Sequence, residues 1–351
     1  MLILNSFLFS YSISNTKAQT LDSNFKVFLP IIKNGNLHKP LLLGLYPKGW
    51  MGDQTVMDSQ MNGLSDWAEV KLTFAGTFTD INEPNYDAAI NQQLDKIYLN
   101  GYTPFINILP KMSAYSYAKG DADQFIRLWA RAFKEVVSVG NRVAYIALMP
   151  EMNGNWVPYG YDPNNYKLSL IRTQRIFKEE GVPENTVRWV FAPNGWSNKD
   201  HNFEYYYPGD DIVDAIGFSA YNYGYCAYPG YTPSWNSLES ITSEYIDRIV
   251  QMAPSKSIFI AQVASSAKTS TGASDSAKNN WFREGYNFLA QAENVRGIIY
   301  FNIDDNICDM AMWRTWPTTL TKNYPGYKEV IQSNSFLYMN PTEVFNNPIL
   351  P

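Results

Sequence analysis

From about residue 40 the chain alternates short apolar runs with amphipathic stretches of helical spacing, the pattern of repeated strand-then-helix units. Eight apolar runs read as strands: Leu41–Leu45, Val70–Phe74, Thr103–Ile108, Val143–Met149, Val187–Ala192, Ile212–Ser219, Ser257–Ala261 and Gly297–Phe301. Helical periodicity covers Asn85–Asn100, Asp121–Val139, Asn164–Glu180, Leu238–Met252 and Asp275–Glu293, with a weaker helix near Thr55–Asp66 and a last one near Pro325–Ser333. Eight such units predict an α/β fold, a single (β/α)8 TIM barrel. The competing architecture, a doubly wound open sheet, usually carries a Gly-rich phosphate turn after its first strand, and none follows Leu41–Leu45. No low-complexity linker interrupts residues 40–335, so 40–351 reads as one domain behind a leader at 21–39.

Composition narrows the function. With 45% hydrophobic and 17% charged residues the chain can bury enough apolar surface to offset chain entropy, so it is not disordered. A net charge of −5 argues against nucleic-acid binding, which needs a Lys/Arg surplus. The two histidines, His38 and His201, lie in neither an HExxH nor a GxSxG motif, and there is no CxxC pair. Asp80, Asp162 and Asp210 could ligate calcium, but no EF-hand spacing supports it. Neither a metal nor any other cofactor is expected. The 19 Phe, 25 Tyr and 10 Trp leave two readings, a large core or a groove that stacks flat, hydroxylated ligands. Met1–Ser14 is mostly apolar and resembles the core of a secretory signal within residues 1–20, although it lacks a positive start. It predicts a secreted protein without stable membrane insertion, a setting that permits a bridge between the two cysteines, Cys226 and Cys308.

In a (β/α)8 barrel, chemistry sits where strands end. Those ends read Tyr46–Trp50, Gly76–Asp80, Leu109–Lys111, Glu151–Trp156, Asn194–Trp196, Tyr221–Tyr225, Gln262–Ser266 and Asn302–Asp305. Aromatics, amides and acids of this kind suit a carbohydrate cleft, where rings stack on sugar faces and amides bind hydroxyls. Glu151 is the sharpest candidate. A carboxyl at the end of strand four, beside Trp156, is partly desolvated and suits a general acid. Its bland alternative is capping the next helix or pairing with Arg142. Trp50, Trp156, Trp196, Trp235 and Trp313 could stack sugars or pack under loops, whereas Trp129 and Trp281 lie on helices and read as core. Asn194, in Pro-Asn-Gly, could bind a hydroxyl or make a turn.

The stretches PEMNGNW, VRWVFAPNGW and VDAIGFSAYN resemble glycoside hydrolase family 26, a β-mannanase family of the retaining (β/α)8 clan, over most of residues 40–320. The segment DMAMWRT at Asp309–Thr315 is similar to the one that follows strand eight in that family. The resemblance places Glu151 at the acid/base, Trp156 at the aromatic lining the cleft, and Tyr221 at a tyrosine bonded to the nucleophile. The nucleophile belongs at the end of strand seven, in a segment like IAEVAS. This chain reads Ile260-Ala261-Gln262-Val263-Ala264-Ser265. Retaining hydrolysis needs two carboxyl groups about 5–5.5 Å apart, one to donate a proton and one to attack the anomeric carbon. A neutral amide attacks poorly. Three explanations stand: a deliberate Glu→Gln change, a natural homologue that kept binding and lost hydrolysis, or another attacking acid such as Asp304, Asp305 or Glu83. A second departure is Pro150, where the mannanases usually carry a histidine that binds sugar. The resemblance thus implies an endo-acting β-glycosidase-type protein. Its ligand is a β-linked polysaccharide, β-mannan first and then mixed-linkage β-glucan or β-xylan, and hydrolysis is silenced at Gln262. The rival is a non-catalytic carbohydrate-binding protein on the same barrel.

Overall fold

The computed structural model describes residues 31–33, 36–38, 40–81, 86–227, 230–304, 308–313 and 323–347. The export segment, Glu83, Asp305 and Thr315 lie outside these residues, as does most of the leader. Of that leader, Ile31–Lys33 and Asn36–His38 pair as an antiparallel hairpin.

Eight parallel strands form the barrel: β1 Leu41–Tyr46, β2 Phe74–Thr79, β3 Thr103–Ile108, β4 Ala144–Leu148, β5 Val187–Phe191, β6 Ala215–Asn222, β7 Ser257–Ser265 and β8 Val295–Phe301. Each pairs with the next, and β8 returns to β1 through Gly297↔Leu42 to Phe301↔Tyr46, which closes the ring. Side chains alternate across the strands. Leu41, Leu43 and Leu45 face the surrounding helices, while Leu42 and Tyr46 belong to the interior. The barrel's centre is aromatic: Phe74 meets Phe105, Tyr145 and Phe259 at ring distances of 6.2, 5.1 and 5.7 Å.

The helices form the outer layer. The principal ones are α1 Tyr86–Leu99, α2 Asp123–Val137, α3 Pro163–Glu179, α4 Leu238–Met252 and α5 Asp275–Leu289. Side chains cap several of them. Asp162, Ser237 and Ser274 accept from backbone N–H groups in the first turns of α3, α4 and α5. The weak first helix is a chain of short pieces, Gln54–Val56, Met57–Asn62 and Gly63–Ala68, whose middle piece is wound as a π-helix.

One strand is displaced from the expected place. The sequence reading put strand two at Val70–Phe74, but it begins at Phe74. Glu69 ends the preceding helix in a left-handed conformation (φ 58°), and the Val70 N–H bonds back to the Ser65 carbonyl. Val70 is therefore part of the helix-to-strand turn, despite its β-favouring side chain. Strands six and seven also run further than expected, to Asn222 and Ser265. Tyr221 and Gln262 thus sit within these strands, near their C-terminal ends. Among the described residues, no helix is long and apolar enough to cross a membrane.

Candidate active site

β4 ends in an unusual turn. Met149 and Glu151, on either side of Pro150, both have left-handed backbones (φ 54° and 58°). Such conformations cost on the order of 1–3 kcal/mol each and persist only where surrounding contacts hold them. Here the Met149 N–H bonds to Ile108 O and the Glu151 N–H to Ala192 O, each at 2.8 Å, while the Tyr159 hydroxyl donates to Pro150 O at 3.0 Å. The turn fixes the Cα of Glu151 against β3 and β5.

The Glu151 carboxyl is half-buried and held on both oxygens. The Trp156 indole N–H donates to Oε2 at 2.7 Å, and the Asn194 amide donates to Oε1 at 2.9 Å. The bland alternatives for Glu151 do not describe the structure. Arg142 pairs instead with Asp95 at 2.7 Å, and Asp162, not Glu151, caps α3. Gly154 makes room for Trp156, because a Cβ there would lie 2.4 Å from the indole.

Asn153 was not anticipated from the sequence. It is 1% exposed and clamps the loop after β5. Its Nδ2 donates to Asn194 O at 3.0 Å and Ser197 Oγ at 3.1 Å, and its Oδ1 accepts from Asn194 N at 2.8 Å. The clamp sets the backbone of the residue whose side chain reaches Glu151. Asn222 and Asn302 brace their own loops in the same way, each accepting two backbone N–H groups. The sequence signal was a polar amide beside a strand end, but the partner loop is distant in the chain. Asn153→Ala is expected to cost about 2 kcal/mol, because it leaves part-buried backbone groups of Asn194 without their Asn153 partners. Urea unfolding measures this, and an unchanged midpoint would contradict it.

Across the mouth, Gln262 is 6% exposed and accepts a hydrogen bond from the Tyr221 hydroxyl at 2.9 Å. A bulge brings it there. Ile258, Ile260 and Val263 belong to the layer under the helices, and Phe259 and Ala261 to the barrel interior. Two helix-facing residues, Ile260 and Val263, are thus separated by three positions instead of two. The pairing with β6 slips at the same place, from Phe218↔Ile260 to Ser219↔Gln262, and β8 shows a matching slip. Bulges of this kind re-aim side chains beside functional sites.

The other candidates divide. Trp156 and Trp196 are 48% and 59% exposed and stack on each other with ring centres 6.4 Å apart. Trp50 is 46% exposed after β1. Trp235 is half-buried against the core. Trp313 does not fit the stacking role: it is 7% exposed, packs on Trp67, and gives its indole N–H to Ser59 O. It anchors the loop after β8. Trp129 and Trp281 are buried. A disulfide joins Cys226 to Cys308 with a Cα separation of 5.5 Å, tying the loop after β6 to the loop after β8. Of the aspartates weighed as calcium ligands, Asp80 pairs with Lys111, Asp162 caps α3, and Asp210 accepts from Tyr207 and Ser255. Among the described residues no group of three or more His, Cys, Asp or Glu is placed to hold a metal ion.

Fold and geometry together define a class: a closed (β/α)8 barrel with a braced carboxyl, a braced amide and exposed indoles on its C-terminal rim. Residues 130–284, which include Glu151, Tyr221 and Gln262, match the family described as Glycosyl hydrolase family 26. The chain is 27% identical over 321 residues to Endoglucanase H of Acetivibrio thermocellus, a match covering 88% of this chain and 32% of that relative. It therefore spans about a third of that protein's length. Among solved structures, the catalytic domain of a Bacillus sp. JAMB-750 endo-β-1,4-mannanase of family 26 superposes with a TM-score of 0.62 at 15% identity, covering 89% of this chain and 90% of that one. A modular endo-β-1,4-mannanase from Cellulomonas fimi gives 0.61 at 14% identity, covering 87% and 74%. At these identities the structural likeness establishes the fold.

Proposed function

We propose that this chain is an exported β-glycan-binding barrel with the architecture of a retaining endo-glycosidase, in which the amide at position 262 silences hydrolysis. The observation that carries the reading is the pair of braced groups, Glu151 held by Trp156 and Asn194, and Gln262 held by Tyr221. In the retaining mechanism, Glu151 protonates the leaving oxygen while a carboxylate at 262 attacks the anomeric carbon and forms a glycosyl ester. Glu151 then takes a proton from water, which cleaves the ester. Gln262 offers no carboxylate to form that ester. It is nearly isosteric with glutamate, so the sugar site survives its presence. The intact bracing around both positions favours this reading over an attacking acid elsewhere.

Two points bear on the ligand. Pro150 stands where the mannanases carry a sugar-binding histidine, and the curated relative is named an endoglucanase. Both move β-glucan ahead of β-mannan in the order expected from sequence, with β-xylan third. The Cys226–Cys308 bridge supports export, since such bonds persist in oxidising compartments.

The test is calorimetric binding and reducing-end release on β-mannan, mixed-linkage β-glucan and β-xylan, for this chain and for Gln262→Glu. Binding without cleavage by the chain, and cleavage by the variant, is the expected pair. Cleavage by both would place the nucleophile elsewhere. Failure of the chain to bind any of the three would sink the reading.

A further inference from the structure

At the ends of β8, β1 and β2 the barrel mouth carries a cluster of aromatic rings, Phe301, Tyr46 and Phe78. Phe78, near the end of β2, is 37% exposed although its strand neighbours are buried. It lies on the interior side of the sheet. Thr77 accepts from Gln93 of helix α1 and so faces outward, while Phe74 belongs to the interior cluster. By alternation Gly76 and Phe78 share the face of Phe74. A Cβ on Gly76 would lie 2.4 Å from the Tyr46 ring, so the glycine lets that ring lie across β2 directly below Phe78.

Phe78 is also rigidly supported. It packs on Tyr46 at 5.0 Å with an interplanar angle of 33° and meets Phe301 edge-on at 6.0 Å and 83°. Phe301 in turn meets Tyr221, the residue bonded to Gln262, at 5.8 Å. Beneath them Asn107 of β3 donates to the Tyr46 hydroxyl at 2.7 Å. A large apolar ring facing a barrel's open end, braced from two sides and left uncovered, has lost the chance to bury its face in the core. Burying it there would be favourable in proportion to the apolar area removed from water.

We infer that Phe78 is a sugar-stacking platform, seating the C–H face of a neutral β-linked pyranose one ring-contact away from Phe301 and two from Tyr221. Neutrality is taken from the β-glycan reading itself; on the rim, Lys111 is held by Asp80 at 2.7 Å and Lys48 donates to the Asp304 carbonyl. The inference rests on the glycan-binding reading above and adds a specificity-determining residue to it.

The test is titration calorimetry of the full chain with cellohexaose, mannohexaose and xylohexaose, repeated for Phe78→Leu and Phe78→Tyr. Leucine keeps apolar bulk but removes the flat face, and tyrosine restores it. The expected result is roughly tenfold weaker binding for Phe78→Leu, equivalent to about 1.4 kcal/mol, with Phe78→Tyr close to the parent. A loss below about threefold in Phe78→Leu, while the parent binds, would overturn the platform and leave the glycan-binding reading standing. Should the parent bind none of the three sugars, that reading falls and the platform with it. Phe78→Ala serves as a second variant if the leucine form fails to fold, and its melting temperature separates lost stacking from lost structure.

Discussion

Gln262→Glu is expected to raise hydrolysis of the matching β-glycan by at least about a thousandfold, since removing one member of a catalytic pair typically costs three to six orders of magnitude. On the proposed reading, the surroundings of position 262 already suit a nucleophile. The Tyr221 hydroxyl donates to the Gln262 side-chain oxygen and would donate equally to a carboxylate oxygen. The bulge that aims the side chain is a backbone feature and does not depend on the amide. The proposed acid/base needs no rebuilding on that reading, because Trp156 and Asn194 hold both Glu151 oxygens. Adding Glu151→Ala to the restored form should return polysaccharide cleavage to the background. Aryl glycosides with good leaving groups should suffer less in that double variant, because their departure needs little protonation. Equal loss on both substrates would remove Glu151 from the acid role, and a silent Gln262→Glu form that still binds glycan would remove position 262 from the nucleophile role.

Loss of the Cys226–Cys308 bridge is the second large effect. The bridge closes a segment with a sequence separation of 82 residues, for which chain entropy alone gives about 4.5 kcal/mol, an upper figure. That corresponds to a fall in melting temperature on the order of 10 °C for a barrel of this size. The Cys226→Ser/Cys308→Ser pair, or the parent heated with reductant, should show it by calorimetry. The effect reaches the site, because the two linked loops flank the end of β7. Weaker oligosaccharide binding should accompany the lower melting temperature. A melting temperature unchanged by reduction would mean that packing of Cys226 and Cys308, both buried, holds the loops without the bond.

Much of this was legible in the chain, and the misses have physical causes. Thr103–Ile108 and Leu238–Met252 were read with their observed limits, since each is a clean apolar pattern with clear stops. β2 was read too early because Val70 and Leu72 look like strand residues, yet the left-handed Glu69 turns the chain there. The shift matters at the mouth, because a strand that runs to Thr79 carries Phe78 inward by alternation. Short elements escaped as well, among them Ala114–Lys119 and Pro341–Asn346, which are too brief to show a period. Glu151 stands out through its local motif. Asn153 does not, because its partner Asn194 lies 41 positions further along the chain and only folding brings the two together.

One pairing ties the two ends of the barrel domain together in time as well as space. β2 meets β1 only at Gly44 and Leu45, and the lower part of β1 is completed on that side by Phe336–Leu337, with the Leu41 N–H bonded to Ser335 O. On its other side β1 waits for β8. The first barrel strand to leave a ribosome is thus among the last to find its partners, and its apolar edge stays open through most of synthesis. Contacts this far apart in sequence form slowly. For much of that interval the strand presents unpaired backbone groups, the condition under which nascent chains associate or recruit chaperones.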